Sequence, residues 1–136
     1  MTPFPVSLLR PSRGRLYGQP GDAGIEVPIE PFSLPDDDEE IETALILEGI
    51  ALPSVDLFDL AGKRFDFPVN PALGYIDGSI SVSHAHHPVD VKALRFGELA
   101  DGKLSVEIEA AIDFGFEGFN DYGRTVWTCS TSVSPE

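Results

Sequence analysis

The chain has 136 residues, enough for one domain with an ordinary core. Its 9 basic and 23 acidic residues give a net charge of −14, and such a negative field repels phosphate backbones and anionic lipid surfaces. We therefore expect neither a nucleic-acid partner nor a membrane partner. The single cysteine, Cys129, excludes an internal disulfide, and no stretch approaches the roughly eighteen apolar residues of a membrane helix. These features suit a soluble protein of the cytoplasm.

The first part of the chain is rich in proline, with seven of the twelve prolines in residues 1–35. Proline at this density disfavours helices and central strands, so residues 1–35 are predicted to be an extended segment with one short edge strand around Val27. Residues 36–136 are predicted to form the β-rich domain. The start of the chain is basic, with Arg10, Arg13 and Arg15. It could fold back onto the acidic body, but we expect a loosely tethered arm.

The middle of the chain contains two predicted elements. A nearly continuous apolar run over residues 43–52 is typical of a buried strand and ends at Pro53. A helix over residues 39–52 is the alternative. Residues 55–60 are predicted to form a hairpin with residues 65–69, because a turn containing glycine separates the two.

The clearest pattern covers residues 104–116. Its even positions are apolar and its odd positions are mostly polar or small, which predicts an antiparallel strand with one buried face. Asp101 and Gly102 predict the turn before it, and residues 125–132 a further strand. A polar strand is predicted over residues 75–87. The sequence thus predicts a mostly β, single-domain fold, either an antiparallel β-sandwich or a flattened barrel, with little helix.

The three histidines lie close together in the sequence, at His84, His86 and His87. On one strand, His84 and His86 would share a face about 7 Å apart. Continued alternation from the preceding residues would place both on the apolar side. Two imidazoles at that spacing can ligate one divalent transition metal ion.

The residues around these histidines resemble the first conserved motif of the cupins. The spacing is Gly78, five residues, His84-Ala85-His86, three residues, Asp90, six residues and Gly97, with Asp90 where cupins have glutamate. The resemblance implies a metal-dependent small-molecule enzyme or binder that holds the ion with His84, His86 and Asp90 inside a β-barrel. No histidine follows His87 to match the second cupin motif. We therefore interpret the cluster as an exposed histidine turn, and expect no bound metal.

The acidic composition favours a surface that binds another protein. Our main hypothesis is a non-catalytic binding protein of the inhibitor or immunity type that recognises a basic protein partner and needs no cofactor. The alternatives are the cupin-like enzyme or binder and an accessory subunit of a larger bacterial assembly. The candidate contacts are three carboxylates without a basic neighbour on the predicted strand and three aromatic anchors after it: Glu107, Glu109, Asp113, Phe116, Phe119 and Tyr122.

Overall fold

The computed structural model describes residues 4–35, 38–82, 85–114 and 123–135. Within these ranges the secondary structure is almost entirely β. The elements are a 3-10 turn at Val6–Leu8, β1 (Gly14–Gln19), β2 (Asp22–Phe32), β3 (Ile41–Ile50), α1 (Leu57–Leu60), β4 (Arg64–Asp66), β5 (Asp77–Val82), β6 (Ala85–Ala100), β7 (Lys103–Asp113) and β8 (Arg124–Pro135).

Seven of these strands close into a barrel. Their order is β6-β5-β3-β2-β1-β8-β7, and β7 pairs again with β6. The short strand β4 also pairs with β6, over residues of β6 that lie beyond those paired with β5. All pairs are antiparallel except β1 with β8, which is parallel over Gly14–Val133, Arg15–Ser134 and Leu16–Pro135. The mostly β prediction with little helix is confirmed, and the closed ring identifies the flattened barrel rather than the sandwich.

The alternating pattern of β7 fills the inside of the barrel. Its even residues from Leu104 to Ile112 are buried, and so are Trp127, Cys129 and Val133 on the neighbouring β8. Asp101 and Gly102 form the turn before β7, and both have the positive φ that such a tight hairpin requires. These strand predictions are confirmed over the described residues. The run at residues 43–52 is also a strand, β3, rather than a helix.

The prediction of an edge strand around Val27 is wrong, because β2 lies between β1 and β3 and spans eleven residues. Pro28 accepts a hydrogen bond on its carbonyl from the Ser12 amide at 2.8 Å, but it has no N–H to return to the Ser12 carbonyl. The Thr131 hydroxyl donates to that carbonyl instead, at 2.8 Å. A side chain from β8 thus compensates for a proline inside the sheet.

The prediction of a loosely tethered basic arm is also wrong. Phe4 is buried and stacks on Phe114 with ring centroids 4.3 Å apart, while Leu16 points into the core. Outside the barrel, the Arg15 Nε atom lies 2.7 Å from a carboxylate oxygen of Glu26. The segment folds back because its apolar residues bury, and its arginines then meet carboxylates of β2.

The predicted hairpin at residues 55–60 is replaced by the single-turn helix α1. The Asp56 carboxylate caps this turn by accepting a hydrogen bond from the Phe58 amide at 2.9 Å. Leu57 and Leu60 are three residues apart, which is a helical spacing, and both join the core. The strand that was expected to pair with this segment, β4, pairs with β6 instead.

The contact between Thr131 and Ser12 can be tested directly. Thr131→Val keeps the shape of the side chain but leaves the Ser12 carbonyl without its donor, so we expect the free energy of unfolding to fall by about 1–2 kcal/mol. The control Thr128→Val changes an exposed residue of the same strand and should alter it by less than about 0.5 kcal/mol. Urea unfolding followed by the fluorescence of Trp127 measures both. Equal losses in the two variants would contradict this role for Thr131.

Candidate functional site

The predicted acidic face of β7 is paired with arginines. The Arg64 guanidinium lies 2.9 Å from Glu109, and the Arg95 guanidinium lies 3.8 Å from Glu107. Hydrogen bonding to Asp66, together with the nearby charge of Glu109, raises the pKa of Arg64. The expectation of no basic neighbour is wrong because the register of β4, β6 and β7 places cationic side chains beside these carboxylates.

The third predicted carboxylate, Asp113, is half-buried and faces Arg124 in the register of β7 and β8. The predicted aromatic anchors Phe116, Phe119 and Tyr122 lie outside the described residues, so their role stays a prediction.

The histidine region folds differently from the predicted polar strand of residues 75–87. β5 ends at Val82, and β6 begins at Ala85, which pairs antiparallel with Val82. His86 is therefore exposed, while His87 is buried, with its ring 4.9 Å from that of Phe114. The interpretation as an exposed histidine turn therefore holds for His86 but is wrong for His87. The alternation that would place His86 on the apolar side does not continue, because Ala85 pairs antiparallel with Val82. His84 lies outside the described residues.

Asp90, the third residue of the cupin-like spacing, also lies on the outer face of β6. Its carboxylate is 2.8 Å from the Arg124 guanidinium. The ligand placement that the resemblance implies, inside a barrel, therefore does not hold for His86 or Asp90. Among the described residues, no group of three or more histidine, cysteine, aspartate or glutamate side chains is placed to hold a metal ion.

Cys129 lies inside the barrel. Burial raises the pKa of its thiol from 9.0 to about 12. Because the thiolate is the reactive form, this position disfavours nucleophilic chemistry at Cys129.

The thiol should therefore be protected from reagents in the folded protein. A pKa about three units higher lowers the thiolate fraction near pH 8 by about a thousandfold, and burial also blocks access. We expect slow reaction of native Cys129 with a disulfide reagent and prompt reaction in denaturant. Because the folded pKa is the higher one, the thiol should also destabilise the fold as pH rises from about 9 towards 12. Prompt labelling of the native chain near pH 8 would show that the thiol is accessible.

One end of the barrel collects exposed carboxylates. The strand pairing brings together here the last residues of β1, β3, β6 and β8 and the first residues of β2, β5 and β7. We call this the acidic end, defined by six exposed residues: Asp22, Glu48, Asp56, Asp59, Asp77 and Asp101. Lys63 and Lys103 are the nearby cations among the described segments.

The acidic end differs in its charge balance from the outer wall of the barrel. On the wall, five arginines lie within ion-pair distance of carboxylates: Arg10, Arg15, Arg64, Arg95 and Arg124. None of the six carboxylates of the acidic end takes part in an ion pair with the described residues. These six carboxylates therefore leave part of the chain's negative charge without a counter-ion at this end.

Two of these carboxylates oppose each other directly. Glu48 of β3 and Asp77 of β5 are register partners in an antiparallel pair, and both are exposed. The side chains of such partners start about 5 Å apart, so like charges there repel and destabilise the sheet.

An apolar groove lies next to one carboxylate of the acidic end, Asp56. Its volume is about 470 Å³, and it is lined by Val55, Asp56, Leu57, Phe58, Leu99, Gly102 and Pro135. Phe58 forms one wall and is 77% exposed, although the leucines on either side of it in α1 are buried. This combination places exposed apolar surface next to Asp56 of the acidic end.

Glu48, Asp77 and Phe58 are not among the contact residues predicted from the sequence. Glu48 and Asp77 become neighbours only through the pairing of β3 with β5, which the sequence does not reveal. Phe58 does carry a local signal, since it stands between Asp56 and Asp59, but the segment was read as a strand.

Comparison with models of protein families, with curated proteins and with solved structures finds no match to this chain. Within the described residues, no helix has the length and apolar character needed to cross a membrane.

Proposed function

We propose that this chain is a non-catalytic binding domain that recognises a basic protein partner through its acidic end. The observation that carries the proposal is the direct opposition of Glu48 and Asp77, which are exposed and have no ion pair among the described residues. Such a pair costs stability in the isolated chain, and cations of a partner would relieve the repulsion.

The charge distribution supports the acidic end over the wall. Glu107 and Glu109 already interact with Arg95 and Arg64, so a partner would have to displace these contacts. The carboxylates of the acidic end have no ion pairs with the described residues that a partner would have to displace. Their summed field also attracts a basic protein at long range and speeds its association.

A second acidic stretch, residues 38–42, precedes and begins β3 at the opposite end of the barrel. We favour the acidic end because Glu48 and Asp77 are fixed on paired strands and because the same end carries Asp56, which lines the groove at Phe58. An inhibitor or immunity-type protein works by covering a basic functional surface, and this arrangement suits that role.

The proposal is tested by two variants with the same change in charge. The double variant Glu48→Gln/Asp77→Asn alters the acidic end, and Glu107→Gln/Glu109→Gln alters the ion-paired wall. A partner is first captured on the immobilised chain from the native host, identified and purified. The association rate of the partner is then measured with the wild type and each variant at two salt concentrations, one well below 0.1 M and one at about 0.1 M. At the higher concentration, charges more than about 10 Å apart are screened.

We expect a basic partner whose association slows with salt and slows further in the acidic-end variant, with a smaller effect in the wall variant. The acidic-end variant should also unfold with a free energy up to about 1 kcal/mol higher, because the repulsion is gone. Capture of no protein, or an acidic partner whose association ignores salt, would refute the proposed function. A larger effect in the wall variant would refute the choice of surface.

A further inference from the structure

We propose that the groove beside α1 binds one large apolar side chain of the partner, flanked in the partner by lysine or arginine. This inference rests on the proposed function and specifies its partner as a cationic segment with an apolar anchor. It assigns Phe58 as the contact residue.

The groove is a preformed feature of the fold. α1 is held in place by the buried side chains of Leu57 and Leu60 and by the Asp56 cap, so the position of Phe58 does not depend on a partner. The opposite walls come from Leu99 at the end of β6 and Pro135 at the end of β8. The groove is open to solvent, and its volume of about 470 Å³ lies within the size range of ligand-binding clefts.

The exposure of Phe58 is the second argument for an apolar ligand. Its side chain is 77% exposed beside the half-buried apolar residues Val55 and Leu99. In the isolated chain the ring of Phe58 stays in water, so it contributes little to the stability of the fold. When a partner covers the ring, its apolar surface is removed from water, which is how aromatic anchors contribute to interfaces.

The charges around the groove determine which partner residues are favoured next to the apolar anchor. Asp56 and Asp59 flank Phe58, and both are exposed. Each makes a short-range hydrogen bond within its own turn, Asp56 with the Phe58 amide and Asp59 with the Ser54 hydroxyl at 2.9 Å. These bonds fix the carboxylates at the rim of the groove without neutralising them, so cationic residues beside the apolar anchor are favoured.

The same charges argue against a second copy of this chain as the occupant. Phe58 of one copy would have to enter the groove of another, which would bring two acidic ends into contact. With a net charge of −14 on each chain, that approach is repulsive. A basic partner carries the opposite charge, so its approach to the acidic end is attractive.

Three synthetic peptides of equal length test the inference on the full chain. The first has a central leucine between lysines, the second replaces that leucine with serine, and the third keeps the leucine but replaces the lysines with glutamates. Fluorescence anisotropy measures the dissociation constants for the wild type and Phe58→Ala. The control Leu73→Ala removes a side chain that is fully exposed in a loop away from the groove.

We expect the leucine–lysine peptide to bind the wild type about tenfold more tightly than the serine–lysine peptide. Phe58→Ala should abolish that difference while leaving the binding of the serine–lysine peptide unchanged, and Leu73→Ala should change neither. Equal binding of the two lysine peptides that depends on Glu48 and Asp77 would overturn this inference and leave the proposed function intact. Equal binding of the lysine and glutamate peptides would overturn both. A wild-type dimer that Phe58→Ala converts to monomer would assign the groove to a second copy instead.

Discussion

The barrel depends on the contact between its first and last strands. β1 and β8 run parallel and share only three register pairs, whereas the other pairs in the ring are antiparallel and share more. Parallel pairing is also slightly weaker per residue. The Thr131 hydroxyl extends this contact to Ser12, at the position where Pro28 cannot donate. Without this contact the ring would open between β1 and β8, and each of these two strands would expose an unpaired edge.

The pairing of neighbouring strands also distributes the charges. Bringing β1 beside β2 places Arg15 on Glu26, and bringing β7 between β6 and β8 places Arg95 by Glu107. Five of the arginines thus form ion pairs along the wall. Each such pair contributes little to the free energy of folding, but it balances the local charge. The carboxylates of the acidic end, by contrast, have no ion pair with the described residues. The proposed binding surface is in this sense a consequence of the strand pairing.

The sequence predicts the parts of this structure that depend on local pattern. Alternation over residues 104–116 and the Asp101-Gly102 turn define β7 and its hairpin, because the period of two and the positive φ of the turn are readable from residue types alone. The closure by β1 and the opposition of Glu48 and Asp77 are not readable, since both arise from pairing between distant segments. The burial of His87 is not readable for a related reason, because it follows from the antiparallel pairing of β5 with β6, which places His86 outward and His87 inward.

Hydrogen–deuterium exchange of the full chain tests the closure most directly. If β1 is an integral strand of a closed barrel, the amides of Gly14–Gln19 that pair with β2 and β8 should exchange as slowly as those in the middle of β7. Thr131→Val should speed exchange in β1 and β8 more than in β3 and β5. Fast exchange throughout β1 in the wild type, with β7 still protected, would contradict the account, because the first strand would then be a loose arm beside an open sheet.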